Sequence, residues 1–168
     1  QYNKRYAYYR LTPVTDTSVY GDWQAGWCGG GLNSLALAYN GDSLSRTRAA
    51  RTMDSLFSHL QHKNGYIVPN QFNGQAFGDD FDHKEKQSVL LVRKNGDVLL
   101  FAARMIELVR SRGENVPEQW LDGLGRLADA FVRLWQRCGQ FGQFIDTETE
   151  TILQGGTASG SSIPGGLI

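Results

Sequence analysis

The chain has 168 residues, 40% of them hydrophobic and 11% aromatic, which is enough apolar material for one folded domain. Charged residues make up 20% of it, and 17 Lys and Arg balance 17 Asp and Glu, which excludes a disordered chain and a basic nucleic-acid footprint. No apolar run approaches the roughly 20 residues a membrane-spanning helix needs, so no membrane partner is expected.

Gln1 to Tyr9 contain neither the apolar core of a signal peptide nor an initiator Met, which reads as a trimmed or processed chain. Cys28 and Cys138 have no CxxC spacing, so zinc and redox motifs lack support, and their redox state stays open between two thiols and one disulfide. The first helix runs from Leu32 through Leu35, Ala36 and Ala38 to Tyr39, is apolar nearly all round, and stops at Asn40-Gly41. Asp42-Ser43 then caps a second helix whose Met53, Leu56, Phe57 and Leu60 make one apolar stripe. The pair reads as an inner helix followed by an outer one.

Residues 64–87 read as a long irregular stretch rich in Gly, Asn, Asp and Phe. Asn95-Gly96-Asp97 offers an N-terminal cap, and Val98 to Val109 is apolar on most faces, which predicts a buried helix. Pro117 suits a first helical turn. From Trp120 to Trp135 an apolar stripe of 3.6-residue period marks an amphipathic helix that ends at Gly139. Residues 98–109 should therefore be more buried than 117–137. A small β-hairpin is predicted near 141–153, around Thr147-Glu148-Thr149-Glu150. The closing stretch, from Gly155 to Ile168, reads as a third glycine-rich approach to an inner helix. The three approaches, near Gly31, Gly96 and Gly160, lie roughly 60 residues apart, the spacing of a helical-hairpin repeat.

The segments GDWQAGWCGGGLNSLAL (21–37), RKNGDVLLFAARMIEL (93–108) and LADAFVRLWQRCGQFGQFIDTETETILQGGTASGSSIPGGL (127–167) resemble the six-hairpin glycosidases, from Gly21 onward. The resemblance implies a mainly α fold, helical hairpins of an (α/α) toroid. The chain would be a single domain over 1–168 and, with about two and a half hairpins, a fragment of a larger toroid. It also implies a carbohydrate-active enzyme, a glycoside hydrolase acting on an oligo- or polysaccharide with no cofactor and no metal, and slightly favours a secreted or periplasmic address. Similar toroids serve lyases and epimerases.

In such toroids the cleft lies where inner helices begin, which here implies a carboxyl pair of Asp97 with Asp22 or Asp80. Trp23 or Trp27 would be the sugar platform, and Asp82, His83, Arg93 and Asn95 the substrate-binding groups. Duller roles stand beside these. Asp97 suits a helix N-terminus, Asp22 a turn, and the acidic run at 79–85 a solvated loop without calcium-loop spacing. His59 and His62, three apart, lack a third metal ligand nearby. GGTASGSSIPGG lacks the Gly-Lys-Ser/Thr ending of an ATP-binding loop. The alternative to an enzyme is a helical-repeat binding or scaffolding module, in which the three acids scatter instead of sharing a concave face. A truncated toroid also predicts apolar surface around Leu32, Leu35, Leu167 and Ile168, and hence self-association or a closing segment folded back over it.

Overall fold

The structure is a computed structural model that describes residues 2–11, 22–26, 30–80, 83, 86–156 and 158–168, without the side chains of 30–32 and 158. Trp27, Cys28, Asp82 and Glu85 lie outside the described residues. The hairpin β1 (Tyr2–Asn3) and β2 (Tyr8–Tyr9) is followed by β3 (Trp23–Gln24), α1 (Gly30–Asn40) and α2 (Ser43–His59). Next come β4 (Asn70–Phe72), β5 (Gln75–Phe77), β6 (Val89–Leu91), α3 (Val92–Ser111) and α4 (Glu118–Cys138). The chain closes with β7 (Phe144–Asp146), β8 (Thr151–Gln154) and α5 (Ile163–Leu167).

The expected mainly α toroid is not what forms. Three small antiparallel sheets, ordered β1-β2, β3-β4-β5 and β6-β7-β8, stand among five helices in the described residues, a mixed α and β domain. Strands of two to four residues are too short for alternation to register in sequence. The β4–β5 turn did carry a signal: Asn73-Gly74, both at positive φ (49° and 80°), between Phe72 and Gln75. The hairpin expected near 141–153 is present as β7–β8, and β6 joins it, with Leu90 opposite Ile145.

The helix order survives with changed burial. Asp42 caps α2 by accepting the Ser45 N–H at 2.8 Å, which holds its carboxyl below the ordinary range. In α1 the expected inner position is not realised: Tyr39 is half exposed, Ala36 exposed, and Leu35 and Leu37 only partly buried. Small apolar residues all round a helix permit burial but do not require it. Val98, Leu99 and Ala102 of α3 are fully buried, while α4 buries one stripe through Trp120, Leu127, Phe131 and Leu134. Gly139 ends α4 in the left-handed conformation, its N–H donating to the Trp135 carbonyl at 2.8 Å. Phe131 anchors this side of the core, with Tyr66 and Phe141 rings edge-on at 5.8 and 5.9 Å.

The expected cap at Asn95-Gly96-Asp97 is a second correction. Strand β6 runs straight into α3, so the helix begins at Val92 with Leu91 at its N-cap, and those three residues are buried one turn inside. Gly96 is there for close approach: a Cβ would stand 2.8 Å from Ser162 Oγ and 2.9 Å from Ile163 Cγ1. The closing segment thus lies back on α3, with Ile163 fully buried and Leu167 and Ile168 exposed. Leu32, named with them at the sequence level, has a side chain outside those described. Gly96→Ala should cost about 1–3 kcal/mol by overpacking this contact, read as a lower thermal midpoint; an unchanged midpoint would show that α5 yields freely.

Candidate functional site

Several segments meet at the first two turns of α3, some fastened there by polar contacts and one by close backbone approach. Asn95 is fully buried. It accepts the Ile67 N–H at 2.7 Å and donates to the Ile67 carbonyl at 2.9 Å, completing the backbone pairing of a strand-like stretch with one carboxamide. Lys94 lies inside the protein with its side chain 4% exposed. Its Nζ donates to Asp79 Oδ1 at 2.5 Å and to Asn70 Oδ1 at 2.7 Å. Asp79 also accepts the Asn70 side-chain N–H at 2.8 Å and the N–H of Leu91, the N-cap of α3, at 2.7 Å. A charge withdrawn from water needs such a set of partners, because the Coulomb attraction alone only offsets desolvation when the remaining valences are filled.

The loop after β3 makes a further approach. Gly26, at φ +72°, presses on α3 so closely that a Cβ would stand 2.5 Å from the Lys94 carbonyl and 3.1 Å from Asp97 Cβ. Only glycine meets both the dihedral and the space.

Asp97 is 4% exposed and accepts from Arg93 Nε at 2.8 Å across one helical turn, while the Arg93 side chain is 44% exposed. Asp80 follows Asp79 directly and pairs with His83 at 3.3 Å and Lys86 at 3.8 Å, with its side chain 20% exposed. His83 itself is exposed.

Not every residue singled out in the sequence joins this cluster. Asp22 is fully buried and bound to the N-terminal hairpin: Tyr8 Oη donates to its Oδ2 at 2.5 Å, the Asn73 N–H to the same oxygen at 2.8 Å, and Arg10 pairs with Oδ1 at 3.0 Å. Burial and the adjacent carboxylate push the Tyr8 phenol well above its ordinary pKa, so it keeps its proton. Trp23 is 1% exposed and packs against Tyr8 at 6.0 Å, a core position without a free face for a sugar. Asn95 belongs to the cluster, but its carboxamide is spent on Ile67, which leaves it no hydrogen bond for a substrate. Trp27 and Asp82 fall outside the described residues. Of the remaining candidates, Asp97 and Arg93 stand on the first two turns of α3, and Asp80, paired with His83, follows the Asp79 that is clamped to it; among the described residues no group of three His, Cys, Asp or Glu side chains is placed to hold a metal.

Lys94 and Asn70, which with Asp79 hold the cluster together, were missed as functional residues, while Asp79 was noticed only as part of the acidic run at 79–85. Lys94 gave no burial signal, since it stands between Arg93 and Asn95 in a polar run.

His62 is half-buried, and desolvation pushes its imidazole below the ordinary pKa while Glu148 and a backbone contact at Gln87 partly oppose the shift. The folded chain therefore favours neutral His62, and the unfolded chain takes up a proton near pH 6.5. Stability is expected to be complete above that pH and to fall as the pH drops below it. Thermal midpoints at pH 7.5 and 5.5 should differ less for His62→Gln than for the parent chain; an equal difference would remove His62 from the account.

Compared with known protein families, with curated proteins and with solved structures, the chain matches none.

Proposed function

We propose that this chain acts on carbohydrate by carboxyl acid/base chemistry at the start of α3, with Asp97 as proton-transferring group and Asp80 as second carboxylate. The observation that supports it best is the Lys94–Asp79 clamp, which ties the segment leading into Asp80 to the helical turn that carries Asp97. Acid/base work on a glycosidic bond needs two carboxyl groups in fixed relation, one in a less solvated setting than the other. Asp97, nearly buried, and Asp80, partly open to water and beside Lys86 and His83, differ in that sense. Arg93 is long and half exposed, suited to donating hydrogen bonds to ring hydroxyls. Asp22 and Trp23 take structural roles in this reading.

A module that binds without catalysis is the second reading, and the observation favouring it is that Asp22 and Asn95 spend their hydrogen bonds inside the fold. Release of reducing ends from a panel of neutral and acidic oligosaccharides separates the two. Turnover of at least one substrate is expected; binding of a saccharide without any product would favour the module, and neither binding nor turnover across the panel would overturn the proposal.

A further inference from the structure

A cavity of about 420 Å³ opens where the β1–β2 turn faces α2 and the β4–β5 turn, and its walls carry an uneven charge. Lys4 and Arg5 reach it from the hairpin turn and Arg51 from α2. None of the three forms an ion pair among the described residues. Asp54 also lines the cavity, but its Oδ1 accepts from Gln119 Nε2 and from Trp120 Nε1, each at 2.8 Å, which turns that oxygen toward α4. Arg5 lies 5.2 Å from the Tyr6 ring centroid, so its plane is steadied by an aromatic face.

Two neutral groups of the wall are also without side-chain hydrogen bonds among the described residues. Ser55 and Gln71 are 9% and 5% exposed, and neither the Ser55 hydroxyl nor the Gln71 carboxamide makes a hydrogen bond to the described residues. Side chains this buried are normally hydrogen-bonded within the protein, so both are available to a guest. Three like charges around one concavity repel one another and concentrate anions there.

We infer that this cavity binds a small hydroxylated oxyanion, of the sugar-phosphate or sugar-acid type. Guanidinium and ammonium groups hold the oxyanion, and Ser55 and Gln71 receive the hydroxyls. The inference does not depend on the reading of Asp97, whose residues line none of this cavity.

Titration calorimetry at low ionic strength, with glucose 6-phosphate, glucuronate, glucose and inorganic phosphate as probes, tests it. One of the two charged sugars should bind, and whichever binds tighter identifies the oxyanion. Glucose, lacking the charge, and phosphate, lacking the sugar body, should each bind at least about tenfold more weakly. Lys4→Ala and Arg51→Ala remove exposed side chains and should leave circular dichroism unchanged while weakening the charged sugar by about tenfold each. No binding of either charged sugar, equal binding of glucose or of phosphate, or unchanged affinity in the Lys4→Ala/Arg51→Ala double variant would overturn it. Turnover at Asp97 is measured separately, so loss of this cavity's function and loss of the α3 site are told apart.

Discussion

Lys94→Met should destabilise the fold by about 3–5 kcal/mol, among the largest single-residue effects expected here. The substitution keeps most of the apolar stem but removes the ammonium that neutralises Asp79, a carboxylate with only 1% of its side chain exposed. Asp79 would then be a buried charge left with the Asn70 side chain and the Leu91 N–H as donors, and Asn70 Oδ1 would lose its donor as well. Adding Asp79→Asn should recover part of the loss, since the carboxamide carries no charge and its oxygen still accepts the Leu91 N–H. Urea unfolding of the parent, the single variant and the double variant gives the comparison. A loss below about 1 kcal/mol for Lys94→Met, or a double variant no better than the single, would mean that the clamp contributes little to holding α3 against the 78–80 segment.

What could be read from the sequence divides along the range of the interactions that decide it. Helices α2 and α4 were legible because their signals are local: Asp42 before Ser43, the Met53-Leu56-Phe57-Leu60 stripe, and Gly139 where the α4 stripe ends. The start of α3 was not, because Asn95-Gly96-Asp97 has the chemistry of a cap and the deciding contacts come from residues far along the chain, Ile67 for Asn95 and Ile163 for Gly96. Apart from the β7–β8 hairpin and the Asn73-Gly74 turn, the sheets were hidden for another reason, since Trp23 pairs with Gln71 and Val89 with Asp146, and strands of two or three residues leave no period to detect.

The site shows the same division. Asp97, Arg93, Asp80 and His83 were singled out by residue type, while the helix start expected beside them lies a turn earlier, at Val92. The assignment of Asp22 and Trp23 was decided instead by the N-terminal hairpin, whose Tyr8 and Arg10 carried no recognisable pattern and yet occupy the carboxylate and cover the indole. Lys94 and Asp79, fifteen residues apart, become a pair only through the fold.

The most direct test of the account is the rate at which Asp97→Asn turns over the best substrate of the oligosaccharide panel. The change is isosteric, and an Asn oxygen still accepts from Arg93, so a pair with one half-exposed partner should cost at most about 1 kcal/mol of stability. Loss of a general acid or base is expected to slow turnover by about 100-fold to 10,000-fold at saturating substrate. Asp22→Asn provides the contrast: it removes the charge that pairs with Arg10, so it should lower the thermal midpoint while the folded protein retains its rate. Asp97→Asn should be folded and nearly inactive, and Asp22→Asn less stable and active. An Asp97→Asn chain with the parent's rate, or a well-folded Asp22→Asn chain without activity, would contradict it.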